Sequence, residues 1–153
     1  MEKVNHPRHY NQHPNGIECI DIIRHYTCDI ANAIKYLWRA GLKSEMGKED
    51  AEKEIEDLEK AIVYIVDYAE HGVPKVAYPF ACENIVMATG HHVFDITNGF
   101  SDPHIYIAIG RLLFVGFIFN GDELAAYDWE DRLEAAVGEI RKRIAKIETK
   151  ENL

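Results

Sequence analysis

Lys35, Arg39 and Lys43 repeat at i, i+4 and i+8, the spacing that projects side chains from one side of a helix. No acid lies between Ala31 and Ser44, so the three cations form a 14-residue island of positive charge. An arginine can fork onto a phosphate, and a lysine can act as a movable point charge. Tyr36 and Trp38 stand beside them and can stack on a base. The same cations also have a structural use. Eight acids lie between Glu45 and Glu59, and a helix carrying those acids can neutralise the stripe by packing against it.

Two further groups could do chemistry. His6, His9, Tyr10 and His13 crowd three imidazoles into eight residues framed by Pro7 and Pro14; imidazoles at that density can hold a metal or a phosphate. Glu18 and Asp21 form one E-x-x-D pair, and Glu54 and Asp57 form another. Two such pairs on facing helices would supply oxygen ligands for Mg²⁺, as in the all-α nucleotide pyrophosphohydrolases of the MazG type. The first pair is sparser than that pattern, and an acidic helix produces the second pair readily.

Other patterns carry no chemistry. Gly41-Leu-Lys-Ser-Glu-Met-Gly47-Lys48-Glu49 misses the P-loop spacing, and Glu49 stands where Ser or Thr is needed. His91-His92-x-x-Asp95 lacks the partners of a metal-dependent phosphohydrolase. Cys19 has no basic activator nearby in sequence.

Helices must position these side chains. Ile17, Ile20, Ile23 and Tyr26 mark a first helix. Ile30, Ile34, Leu37 and Trp38 mark a second, with Gly41 at its C-cap. A third runs from about Gly47 to Glu70. Residues 81–88 suit a short helix, and Val93–Ile96 suits an extended segment. Ser101-Asp102-Pro103 reads as a capped helix start, with that helix ending at Asn120-Gly121. The last helix spans about Glu123–Ile147, acidic first and basic last, as its dipole favours. The expectation is all-α: a compact bundle of five to six helices, with residues 1–72 carrying the site and residues 73–153 packed on the same core.

The chain also resembles itself. Asn32–Gly41 matches Ile107–Gly116 at an offset of 75 through Ala33/Ala108, Ile34/Ile109, Leu37/Leu112 and Gly41/Gly116. Leu58/Leu133, Ala61/Ala136, Ile62/Val137 and Ile65/Ile140 match at the same offset. One reading is a degenerate duplication of a two- to three-helix unit whose second copy has lost the cations; the other is coincidence between amphipathic helices. Lys35 becomes Gly110, Arg39 becomes Phe114 and Lys43 becomes Ile118.

Composition bounds the partners. The chain has 153 residues, 47% hydrophobic and 28% charged, with a formal charge of −9. That fits a soluble globular protein and argues against non-specific DNA binding or an anionic membrane surface. Three cysteines without metal-type spacing and a polar N-terminus without an apolar core point to the cytoplasm. Ile105–Phe119 is apolar over 15 residues but includes Arg111. It is too short for a bilayer and suits a buried helix or the interface of a homo-oligomer.

Asn5-His-Pro-Arg-His-Tyr10, Gly16-Ile-Glu-Cys-Ile-Asp21, Asn32-Ala-Ile-Lys-Tyr-Leu-Trp-Arg-Ala-Gly41 with Lys43, and Asp57-Leu-Glu-Lys-Ala-Ile-Val-Tyr64 resemble a small phage and prophage family. Its members are labelled SaV-like or phage nucleotide kinase-like. The resemblance covers about residues 3–70. It departs in the longer, more acidic Ser44–Glu56 linker and leaves residues 73–153 unplaced. It implies a phage or prophage origin, residence in the host cytoplasm and a nucleotide as the small-molecule partner. It also implies activity like that of a nucleoside-monophosphate kinase without a P-loop, in a large oligomer.

The matching positions are His6, His9, Tyr10, Glu18, Asp21, Asn32, Lys35, Tyr36, Trp38, Arg39, Lys43, Lys60 and Tyr64. On this reading His6, Tyr10, Asn32, Lys35, Tyr36, Trp38, Arg39, Lys43 and Lys60 bind the nucleotide, and His9 or Glu18 takes the proton. No cofactor follows from that reading. A Mg²⁺-dependent hydrolase using Glu18, Asp21, Glu54 and Asp57 is one alternative. A non-catalytic oligomer that sequesters a host signalling nucleotide is another.

Overall fold

In the computed structural model, residues 13–40, 49–72 and 81–151 are described. They form seven α-helices and one two-stranded hairpin: α1 (Cys19–Ile23), α2 (Cys28–Arg39), α3 (Asp50–Asp67), α4 (Cys82–Thr89), α5 (Val93–Thr97), α6 (Pro103–Leu112), β1 (Val115–Phe119), β2 (Asp122–Ala125) and α7 (Trp129–Glu151). The end of α3 widens into a π-helical turn, Tyr68–Gly72. The protein is therefore mostly helical, with a hairpin the sequence reading did not contain.

Amphipathic spacing builds the core. The α2 face Ile30, Ala33, Ile34 and Leu37 packs on the α3 face Leu58, Ala61 and Ile65, and all seven are buried. The α6 face Ala108, Ile109 and Leu112 packs in the same way on Leu133, Ala136 and Ile140 of α7. The two helix pairs then close on one another through α3 with α7 and α2 with α6. Each buried Leu or Ile removes apolar surface worth about 2 kcal/mol from water.

The start of α6 follows its predicted chemistry. Asp102 accepts hydrogen bonds from the His104 and Ile105 amides at 2.9 and 3.2 Å, and Pro103 occupies the first turn. Its end does not. The helix stops at Leu112, and Val115–Phe119 turns into a strand antiparallel to Asp122–Ala125. Asn120 and Gly121 are the two-residue turn between them, both with positive φ, +52° and +85°. A tight hairpin of the I′ kind requires this at both positions. The Asn-Gly pair is thus a hairpin signal rather than a helix stop. The last helix starts at Trp129 instead of Glu123 because β2 occupies the earlier residues. Val93–Ile96, expected to be extended, is the helix α5, with His92 Nδ1 accepting the Phe94 amide at its start.

The hairpin is bolted to the joint between α1 and α2. The Ile118 amide donates to the His25 carbonyl at 2.8 Å, and the Thr27 amide donates to the Gly116 carbonyl at 2.8 Å. The Tyr26 hydroxyl donates to the Leu113 carbonyl at 2.8 Å. Gly116 has φ +68° and sits where the ladder register shifts. A Cβ there would meet Thr27 Oγ1 at 2.7 Å and Ile30 Cγ1 at 2.8 Å. Ile105, Ala108, Ile109, Leu112, Leu113, Val115 and Phe117 are all buried within the single chain. Most of this apolar segment is covered within the chain, while Tyr106 and Ile118 are exposed. None of the described helices is long and apolar enough to cross a membrane.

The order of elements recurs along the chain. Gly16 and Gly90 both have positive φ, +74° and +81°, and a five-residue helix follows each, Cys19–Ile23 and Val93–Thr97. A long helix comes next, beginning at Cys28 or Pro103, and a longer one closes each half, with the β1–β2 hairpin between the two in the second half. Ile22 and Ile96 occupy the same place in the two short helices, and neither is exposed.

Candidate functional site

Where α2 packs beside α3 at the edge of the core, three cations surround one aromatic ring. The Tyr36 ring stacks on Tyr64 of α3 at 5.8 Å between centroids and 13° between planes. Lys35 Nζ lies 4.9 Å from the Tyr36 centroid, Arg39 Cζ 4.6 Å and Lys60 Nζ 5.5 Å. These distances are within the range of cation–π attraction. Helical spacing explains the convergence: Lys35 and Arg39 flank Tyr36 on α2, and Lys60 sits one turn from Tyr64 on α3.

Beneath this ring cluster lies a buried ionic knot. Arg39 is only 7% exposed and donates to Asp57 Oδ1 from Nη2 at 3.0 Å and from Nε at 3.4 Å. Lys53, 4% exposed, approaches the same oxygen at 3.4 Å and Glu56 at 3.3 Å. Lys60 reaches Glu56 at 3.0 Å. Burial opposes the charge on Lys53, yet Asp57 and Glu56 hold its ammonium pKa above the ordinary lysine value. The other oxygen of Asp57, Oδ2, is buried and has no hydrogen-bond partner among the described residues. Among the described residues, Lys35, Arg39, Lys53 and Lys60 gather here with Glu56 and Asp57. A groove of about 710 Å³ beside it is acidic, lined by Glu49, Glu52, Glu56 and Glu59 with Glu148.

The pairing of the stripe with the acids of α3 is seen at Arg39. Arg39, expected to fork onto a phosphate, is turned inward onto an acid of α3. Lys35 and Lys60 remain at the surface beside the ring. Trp38 is not a base-stacking platform: it is 2% exposed, stacked on His13 at 5.4 Å with the edge of Phe100 at 5.0 Å. Asn32 donates back to the Cys28 carbonyl of its own helix at 2.9 Å. His6, His9, Tyr10 and Lys43 lie outside the described residues.

His13 separates from the histidine cluster as a core residue. Its Nε2 donates to the Ile96 carbonyl at 2.7 Å, and its Nδ1 accepts the Asn15 amide at 3.1 Å. The four carboxylates expected to share Mg²⁺ are dispersed. Glu18 stands at the N-cap of α1, and Asp21 pairs with Arg24 at 3.4 Å. Glu54 is held by both ends of the Arg143 guanidinium at 2.8 and 3.2 Å, and Asp57 faces Arg39. Among the described residues no three or more His, Cys, Asp or Glu side chains are placed to hold a metal. Burial raises the Cys19 thiol to about 12, with Lys35 pulling weakly the other way, which keeps it protonated and unreactive at neutral pH.

Sequence reasoning missed Lys53. Its signal was a lysine four residues before Asp57 within an acidic helix, a spacing that brings the two side chains together.

The site thus belongs to a mostly helical protein with a cation-ringed tyrosine pair on one helix–helix face. Residues 4–66, which contain that pair, match the family model described as a protein of unknown function, DUF3310. No curated protein and no solved structure matches the chain.

Proposed function

We propose that the α2–α3 face binds the phosphate groups of a small nucleotide, in a phage-type protein resembling nucleoside-monophosphate kinases. The convergence of Lys35, Arg39 and Lys60 on the Tyr36–Tyr64 stack carries this reading. Lys35 and Lys60 are the phosphate contacts, and Tyr36 offers aromatic surface. Arg39 is a positioning residue: its bond to Asp57 fixes its guanidinium against the ring and adds positive field from below. The acidic groove alongside repels long polyanions and leaves room for a compact one.

The C-terminal half is read as a diverged repeat of the first, on the strength of the shared order of glycine, short helix and two long helices. At the offset of 75 the site does not recur. Gly110 and Phe114 stand where Lys35 and Arg39 do, so each chain carries one such site.

Calorimetric titration with nucleoside mono- and triphosphates tests the binding. The K35A/K60A double variant is expected to weaken affinity at least ten-fold, because two charge-assisted contacts are lost. Both side chains lie outside the core, so helicity by circular dichroism should not change. Unchanged affinity in a folded variant would overturn the reading. Analysis of the incubated nucleotide then separates the chemistry: a transferred phosphoryl group indicates a kinase, and ligand recovered intact indicates a sequestering protein.

A further inference from the structure

A cavity of about 280 Å³ lies where the two helix pairs meet, bounded by the end of α2, the start of α3, the loop before α6 and the second half of α7. Pockets for drug-sized ligands run from about 300 to 1,000 Å³, so this one suits a single ring system rather than a whole nucleotide. One of its sides is apolar. His13 and Trp38, both buried, back it, and the half-buried Phe100 stands edge-on to them at 5.5 and 5.0 Å.

The other side is polar and held in place. Arg143 Nε and Nη2 donate to the two oxygens of Glu54 at 2.8 and 3.2 Å, and Nη1 donates to Asp102 Oδ2 at 3.1 Å. All three side chains line the cavity, and none is more than 22% exposed. A guanidinium carries five N–H groups. These bonds use one on each nitrogen, which leaves one on Nη1 and one on Nη2 among the described residues. Each Glu54 oxygen accepts once in these bonds and has a second lone pair. A spare donor on Nη2 therefore stands beside a spare acceptor on Glu54 Oε1, the two atoms 3.2 Å apart.

Charge narrows the occupant. An anion brought to this end meets the carboxylates of Glu54 and Asp102, and a cation meets the guanidinium of Arg143. Neither sign is unopposed, which favours a neutral ligand. Apolar walls with a few convergent polar groups are the usual make-up of a small-molecule site.

We propose that this cavity binds a neutral planar ring with an N–H next to a carbonyl, a cyclic amide of nucleobase size. The carbonyl accepts from Arg143, the N–H donates to Glu54, and the ring lies against Phe100. The site stands apart from the phosphate contacts proposed for Lys35 and Lys60, neither of which lines the cavity.

Nuclear magnetic resonance titration of the full chain with uracil, a ring of this kind, tests it. The assigned Trp38 indole signal is expected to shift and saturate. Orotate, the same ring with an added carboxylate, is expected to bind at least ten-fold more weakly. Ser101 lines the cavity at an exposed position, so Ser101→Phe fills the space without entering the core and should abolish uracil binding. Arg143→Lys keeps the charge and loses the fork, and a ten-fold or greater loss is expected. Circular dichroism checks that both variants are folded. The K35A/K60A variant should bind uracil as the native chain does. A Trp38 signal that uracil leaves unmoved would overturn the proposal. So would orotate binding as tightly as uracil, undiminished binding by Ser101→Phe or by folded Arg143→Lys, or loss of uracil binding in K35A/K60A.

Discussion

Asp57 satisfies two buried cations through a single oxygen, and this arrangement dominates the energetics of the site at the residue scale. A buried ion pair contributes little net stability compared with apolar packing, but removing one partner strands the other. Asp57→Asn keeps the shape and deletes the charge that faces both Arg39 and Lys53, while Lys53 keeps its contact with Glu56. The expected cost is about 3 kcal/mol, read as a lower denaturant midpoint with an unchanged slope. A loss well below about 1 kcal/mol would show that the knot is not the anchor described here. The sequence made the cations of α2 visible, because spacing reports which residues share a side. It could not show whether a long side chain reaches outward or folds back. Arg39 does the latter, since the buried Asp57 carboxylate on the facing helix attracts it more strongly than water does. Trp38 was ambiguous for the same reason. It sits between the apolar stripe and the cationic one, and only tertiary contact with His13 and Phe100 assigns it to the core.

At the scale of elements, legibility followed locality. The start of α6 could be read because capping is a matter of three adjacent residues, Ser101, Asp102 and Pro103. Asp102 also accepts from Arg143 Nη1 at 3.1 Å, tying that cap to α7. Asp102→Ala removes the cap and one arm of the Arg143 clamp together. It is expected to lower stability by about 1–2 kcal/mol, measurable as a fall in thermal midpoint. The hairpin was hidden because Val115–Phe119 is apolar at nearly every position, so its periodicity does not distinguish strand from buried helix. Its discriminating mark was the Asn-Gly turn, whose two positive-φ residues suit a hairpin and exceed what a helix end needs. The carboxylate pairs failed for a different reason. Two E-x-x-D spacings place each pair on its own helix, but they do not make the helices present those sides to each other.

Across the whole molecule, His13 joins segments far apart in the chain. It bonds to Ile96, 83 residues away, and its ring fills the space beside Gly99, where an added Cβ would collide with it. Gly99→Ala therefore forces His13 out of its place against Trp38. The expected penalty is about 1–3 kcal/mol, together with a changed near-ultraviolet signal from Trp38. An unchanged tryptophan environment would contradict the contact. The hairpin makes a second long link, and this one bears on the order in which the chain can mature. The His25 carbonyl, the Thr27 amide and the Tyr26 hydroxyl find partners in residues 113–118. During synthesis the first half emerges long before those partners exist, so its α1–α2 joint must wait, solvated and unfinished, until β1 arrives. The region matched by the family model is thus completed in this protein by a segment the ribosome delivers roughly ninety residues later.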